Sequence, residues 1–240
     1  MSAAAASISA QGRRHIAPIW HTIGLLVLLA LPVVRGIYQQ SPGSPNSQIF
    51  SSHSQVFVRF YIPVLIFEWV LAAYVYWGVR RGGMTLRELI GGRWASATDF
   101  FRDLALGICF LVAGVVCLSL VIHILGPVHA KAIDVILPQG AREVAVWVVI
   151  SLTAGFVEEL VYRGYLQTQF SRFGMPVALA ILTQAIIFGA GHAYEGWQKA
   201  IAITCFAAFA GFVAAWRRSL RPNMIGHAMM DILAAVMHTA

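Results

Sequence analysis

Charge is what this chain has least of. Only 11% of its 240 residues are Asp, Glu, Lys or Arg, against 59% hydrophobic residues, and its mean hydropathy is +0.73. Those values exclude an ordinary soluble domain. The apolar runs lack period-2 alternation and are too long for barrel strands, which excludes a closed β-barrel. Cysteine is scarce: Cys109, Cys117 and Cys205 sit inside apolar runs without metal-ligand or disulfide spacing. They read as small buried apolar residues. There is no HExxH, no serine nucleophile elbow and no apparent catalytic cysteine. Internal repeats and low-complexity tracts are also missing. The net charge of +7 lacks the aromatic-interleaved basic cluster of a nucleic-acid site, so no nucleic-acid partner is expected.

What the chain has instead is long apolar runs. Seven stretches approach the roughly 20 residues that span a bilayer as a helix. They lie at about 16–34, 57–78, 104–125, 144–162, 176–192, 200–216 and 223–238. The expected fold is all-α, a polytopic transmembrane helical bundle of about seven spans with short interfacial helices. Residues 1–15 read as a polar tail and 16–240 as a single integral-membrane domain. Residues 35–55 and 126–142 read as loops rich in Ser, Pro, Gln or Gly. In the connection 79–103, MTLRELI and ATDFFRDL flank Gly91-Gly92 and read as surface pieces, with Leu86, Leu89 and Ile90 facing lipid.

Arginine alternates along these connections. Arg13 and Arg14 precede the first run; Arg80, Arg81, Arg87, Arg93 and Arg102 follow the second. Arg172 follows the fourth, and Arg217, Arg218 and Arg221 follow the sixth. The alternate connections are poorer in Lys and Arg. The positive-inside rule then puts the N-terminus in the cytoplasm, with the first run an uncleaved signal anchor.

Against so apolar a background, ionisable groups within the runs are functional candidates. Glu158, Glu159 and Arg163 fall on one short stretch, AGFVEELVYRGYL. Glu159 and Arg163 are four apart, acid first, which favours an ion pair. Glu158 is turned by about 100° from Glu159, free to point elsewhere. In QAIIFGAGHAYEGW, Phe188 and His192 share a face, and Gly189 and Gly191 permit close helix approach. His227 and Asp231 are four apart on the last run, where Asp231 can orient the imidazole. Three apolar segments thus carry groups of the type that activate water: a carboxylate with a histidine as general base, and donors for an oxyanion. Glu68 lies in the second run, where it pairs with another helix or lines the same cavity. Asn223 reads as a helix cap.

EELVYR fits EExxxR, FGAGH fits FxxxH, and HAMMD fits a closing HxxxD or HxxxN. In this order on successive hydrophobic segments, across about 100–238, they resemble the CPBP family. That family comprises CAAX prenyl endopeptidases of the second type and their bacteriocin-processing and immunity relatives. The resemblance implies an intramembrane endopeptidase of a bacterial cytoplasmic membrane, acting on a membrane-associated protein or peptide. It implies Glu158 as catalytic glutamate, His192 as its water-activating partner, and His227 with Asp231 at the oxyanion. Glu159, Arg163 and Phe188 are structural or orienting. An ionised Asp231 only accepts hydrogen bonds, so it either carries a proton or orients His227; orientation is the favoured role. No cofactor is required on this reading. Zn²⁺ is the alternative, held by Glu158, His192 and His227 with Glu159 as base. Two other functions share these features: a proton-coupled transporter, and a catalytically silent scaffold or immunity protein.

Overall fold

The computed structural model describes residues 15–40, 55–126 and 135–239. Nearly all of the expected N-terminal tail, and the centres of the two expected loops, lie outside these residues. Seven longer helices form the body: α1 (Ile19–Gln40), α2 (Ile62–Arg81), α4 (Ala97–Leu125), α5 (Ala141–Glu158), α7 (Val177–Gly191), α8 (Trp197–Arg217) and α9 (Arg221–Thr239). Two five-residue helices, α3 (Leu86–Ile90) and α6 (Thr168–Arg172), also occur among the described residues. No strand occurs among the described residues. The fold is a helical membrane bundle.

Among the described residues, five helical stretches are long and apolar enough to cross a membrane: Ile19–Tyr38, Phe57–Arg81, Ala97–Leu125, Ala141–Arg172 and Trp197–Arg217. The other two expected spans are helices of a different kind. Helix α7 has only 15 residues, and α9 carries Arg221, Asn223, His227 and Asp231 among its 19. Helix α7 is apolar but short, and α9 is partly polar because it carries interior site residues. The fourth span also runs further than the apolar run implies. It continues through a π-helical segment (Glu159–Gln167) and α6, 32 residues in all. Glu158 is therefore near the middle of a long helix and not at the end of a short one. Likewise α1 reaches Gln40, into the expected loop.

The outside of the bundle is oilier than parts of its inside. Ile108, Val112, Val116, Leu120 and Ile124 recur every fourth residue along α4, and all are exposed. Glu159, Arg163, Gln167, Gln184, Asn223 and His227 are buried. Lipid removes the usual hydrophobic drive between helices, so packing and interior polar contacts hold them together. Cys109 and Cys205 are on the exposed exterior, not in the core as expected.

The long helix and the chain from Leu220 through α9 run antiparallel through two close contacts. A Cβ on Gly164 would lie 2.9 Å from Leu220, and one on Gly155 would lie 2.8 Å from the backbone N of Ala228 and 2.9 Å from the carbonyl of Met224. These contacts bracket the level at which Glu158 and Glu159 face His227. Helix α4 meets α9 through Gly107 and Gly226, and α7 meets α8 through Gly189, beside Ala200 and Thr204.

One end of the bundle collects the arginine-bearing connections. Asp103 is fully buried and takes Arg217 Nη2 at 2.8 Å, Arg221 Nε at 3.0 Å and the Trp94 indole N–H at 3.0 Å. Nearby, α3 is made by its caps. Thr85 and Glu88 form a reciprocal capping box, and Gly91 ends the helix at φ 100°. Hydrogen bonds from the Thr85 backbone N–H and hydroxyl hold the Glu88 carboxyl below its usual range. Leu89 does not face lipid as expected. It is buried against Gly164, while the Ile90 carbonyl accepts from Leu220 N–H at 2.9 Å. ATDFFRDL is likewise no separate piece but the opening of α4.

A second tie joins α1 to the far end of the long helix. The Gln169 amide accepts from Ile16 N–H at 2.9 Å and donates to the Ala17 carbonyl at 2.7 Å. His21 is fully buried between the Tyr165 hydroxyl, 2.7 Å from Nδ1, and the Tyr74 carbonyl, 2.8 Å from Nε2.

The α5–α9 contact is backbone against backbone, so it has little room to adjust. Gly155→Ala is expected to lower stability by about 1–3 kcal/mol, the usual cost of overpacking. Cys109→Ala, on the exposed face of α4, is expected to cost far less. Thermal unfolding of the purified protein in one detergent compares the two; equal midpoints would reject the close approach.

Candidate active site

Glu159 is the centre of the interior polar network and is fully buried. Its Oε1 lies 3.1 Å from Arg163 Nη1 and 3.1 Å from His227 Nδ1. Its Oε2 accepts from Asn223 Nδ2 at 3.2 Å. The four-residue spacing read from the sequence does produce the Glu159–Arg163 ion pair, although the backbone there is π-helical. The pair is close by distance, but Nη1 is not aligned as a hydrogen-bond donor. Two neighbours complete the Arg163 pocket: the Phe188 ring, 4.6 Å from the guanidinium carbon, and the Ala207 carbonyl, 3.5 Å from Nη2.

The buried carboxylate decides how His227 is oriented. A carboxylate only accepts, so Nδ1 of His227 carries the hydrogen of that bond. Nε2 then faces the other way, 3.5 Å from Glu158 Oε2 and 3.8 Å from Asp231 Oδ2. Here the structure departs from expectation. The short contact that orients His227 comes from Glu159 on the neighbouring helix, not from Asp231. The four-residue spacing on α9 sets Asp231 beside Nε2, whereas Nδ1 faces the long helix.

His192 ends α7. Its Nδ1 lies 2.9 Å from the Phe188 carbonyl, which can only accept. Nδ1–H is therefore the donor, and Nε2 of the neutral ring keeps its lone pair. The His192 and Phe188 rings are 4.7 Å apart, and Phe188 also meets Tyr162 at 4.8 Å and His227 at 6.2 Å. Phe188 is thus the shared wall between the two histidines and Arg163. Asp231 lies within electrostatic reach of both His192 and Glu158. The depths agree because the long helix extends to Arg172. Counted from the arginine-rich end, Glu158 lies fourteen residues from Arg172 on the long helix and His192 fifteen residues from Val177, the start of α7. Of the two glycines before His192, Gly189 carries the close approach; Gly191 has only the Tyr162 hydroxyl nearby, at 4.0 Å.

Several residues have roles the sequence reading did not give them. Asn223 is no cap. It is the third residue of α9 and ties Glu159 to the Ala210 carbonyl, which Nδ2 meets at 2.8 Å. Ser219 serves the helix start instead, accepting from Arg221 N–H at 3.3 Å. The signal was available: Asn223 and His227 are four apart on one apolar face. Gln184 and Gln167 are also buried, donating to the Ala207 and Gly211 carbonyls at 3.1 and 3.0 Å. Glu68, expected to pair with another helix, has Oε2 buried without a hydrogen-bond partner among the described residues.

The donor set does not fit a closed Zn²⁺ site. No three His, Cys, Asp or Glu side chains converge to hold a metal ion among the described residues. Each imidazole has its Nδ1 engaged, with the Phe188 carbonyl or with Glu159, which leaves Nε2 as the nitrogen facing the site. What the arrangement offers is acid–base chemistry. Glu158, 15% exposed, and the lone pair of His192 can accept protons, and His227 as an imidazolium can present one at Nε2.

The Glu159 network implies a large stability difference between adjacent glutamates. Glu159→Ala leaves Arg163 buried without its anion and is expected to cost about 3–5 kcal/mol. Glu158→Ala removes a partly exposed carboxyl and is expected to change stability by less than about 1 kcal/mol. Chemical unfolding of both variants in micelles would reject the network if their losses were the same.

No curated protein and no solved structure matches this chain. Residues 140–233 match the family model described as Rce1-like, type II CAAX prenyl endopeptidase. The match is narrower than the resemblance over about 100–238. It takes in Glu158, Glu159, Arg163, Phe188, His192, His227 and Asp231, and leaves α1, α2 and α4 outside. The segment that builds this buried network is thus similar to the type II CAAX prenyl endopeptidases.

Proposed function

We propose that the protein is an intramembrane endopeptidase that hydrolyses a peptide bond of a membrane-associated protein or peptide with water activated by Glu158 and His192. The observation that carries this reading is the position of His227 Nε2. It faces Glu158 at 3.5 Å and Asp231 at 3.8 Å, while Glu159 holds Nδ1. A proton acceptor and a potential oxyanion donor thus share one partly open space between α5 and α9. The protease family matched over 140–233 supports the same class of reaction.

In this mechanism a water molecule donates a proton to Glu158, with His192 Nε2 accepting its second hydrogen as a hydrogen bond. The oxygen attacks the peptide carbonyl carbon, and His227 Nε2–H meets the oxyanion that forms. The intermediate collapses with cleavage of the C–N bond, and the proton held on Glu158 passes to the leaving amine. Asp231 supports the charge on His227, and Glu159, Arg163 and Phe188 hold the frame. No step requires Zn²⁺. The arginine-bearing end of the bundle faces the cytoplasm of a bacterial cell on this reading, following the positive-inside rule.

The test uses purified protein in proteoliposomes with a fluorescence-quenched peptide ending in a CAAX sequence, farnesylated or unmodified. Glu158→Ala, His192→Ala and His227→Ala are each expected to lower cleavage by about 10²–10⁴-fold, the range of general acid–base catalysis. EDTA is expected to leave the rate unchanged. Full cleavage by Glu158→Ala would overturn the assignment of the base. Proton flux across the vesicle wall without cleavage would favour transport instead.

A further inference from the structure

The matched segment begins at residue 140, so nothing in it accounts for Glu68 on α2. This side chain is only 7% exposed, and its Oε2 is fully buried without a hydrogen-bond partner among the described residues. It shares the buried face of α2 with Leu71, Ala72 and Val75. That face packs on α5 and the π-helical segment, the elements that carry Glu158 and Glu159. Glu68 lies within electrostatic reach of the carboxyls of Glu158 and Asp231. Trp69, the next residue, packs on Phe156, two positions before Glu158.

An unpartnered polar atom in such a place is costly. Arginine compensates Glu159 at 3.1 Å; no cation among the described residues forms an ion pair with Glu68. A carboxyl without a counter-charge is far cheaper to bury as the neutral acid than as the anion. The neutral acid has one O–H to give and one oxygen to accept with. That pair of functions is complementary to one residue of an extended chain, whose C=O accepts and whose N–H donates on the same side. Glu68 therefore has the chemistry to replace hydrogen bonds that a peptide main chain loses when it leaves water.

We propose that Glu68 is a substrate-binding residue of the site, whose carboxylic acid donates its O–H to a carbonyl of the bound peptide and accepts an N–H from the same main chain. The ligand it recognises is an extended peptide backbone, independent of side-chain identity, next to the bond being cut. The site then has three acidic residues with separate tasks. Glu158 handles the proton of water, Glu159 fixes the charge of Arg163, and Glu68 holds the substrate. This assignment rests on the endopeptidase reading.

The experiment compares Glu68→Gln and Glu68→Leu with the unaltered protein, using the quenched CAAX peptide in proteoliposomes. A glutamine amide keeps one donor and one acceptor, so Glu68→Gln should retain KM and kcat within about threefold. Leucine keeps the volume and loses both functions. Glu68→Leu should raise KM by about ten- to a hundredfold, as loss of two hydrogen bonds requires, with a smaller effect on kcat. Glu68→Leu should also unfold at or above the midpoint of the unaltered protein, because it removes a buried group without a partner. A purely structural glutamate predicts the opposite, a lower midpoint with unchanged KM, and that result would overturn the proposal. Loss of kcat in both variants would also overturn it, since it would make Glu68 a proton carrier.

A second readout does not depend on cleavage. The infrared spectrum should contain the carbonyl stretch of a protonated carboxylic acid that is missing in Glu68→Gln and retained in Glu158→Gln. Its absence would overturn the proposal even if no peptide were cut. If the unaltered protein cleaved nothing while the band was present, the endopeptidase reading would fail before the assignment of a neutral Glu68. Normal cleavage by Glu68→Leu alongside inactive Glu158→Ala would sink the Glu68 proposal alone.

Discussion

The buried guanidinium of Arg163 is the constraint from which the site follows. Arginine does not shed its proton, so a chain that buries it must bring an anion to it. Glu159 is that anion, and its carboxylate reaches two other helices from the same place, through His227 and Asn223. A charge pair within one helix therefore also sets the angle between helices and the direction of an imidazole. The reactive groups, Glu158 and Nε2 of His227, lie on the open side of that arrangement. The cost of burying charge is offset by connections that hold the space between α5 and α9 in shape.

Packing makes those connections affordable in lipid. With hydrocarbon on the outside, apolar side chains gain little by turning inward. The bundle places isoleucine, leucine and valine along the exterior of α4 and reserves its interior contacts for glycines and polar groups. Gly155 and Gly164 let α9 approach the long helix above and below the site. The glutamines Gln167 and Gln184 then fill the remaining interior donor positions toward α8.

Local spacing was readable from the residues alone; long-range partners were not. Glu159 with Arg163, and Phe188 with His192, are four apart, and the structure joins both pairs. The helical class followed from the apolar runs. The end of the fourth span did not, because Gln167 and Gln169 look like a polar exit until their partners Gly211, Ala17 and Thr22 are known. Asn223 looked like a cap for a similar reason: after Pro222, its position in the sequence outweighed a partner 64 residues away. The expected part of Asp231 in orienting His227 rested on same-helix spacing, and that spacing says nothing about which ring nitrogen another helix claims. The π-helical stretch has no local signature at all.

That stretch has a mechanical consequence. A π-helix closes each hydrogen bond one residue later than an α-helix. From Glu159 to Gln167 the backbone therefore winds more slowly than the segments on either side. The surplus sets the azimuth at which Tyr165 and Gln169 leave the helix axis to grip His21, Thr22 and the start of the first helix. It acts as a phase adjuster between two rigid halves of one rod. Removing a single residue there would tighten the coil and swing the anchored half around relative to the reactive half. The length of this wide coil, and not its side chains alone, keeps the first helix and the acidic pocket in register.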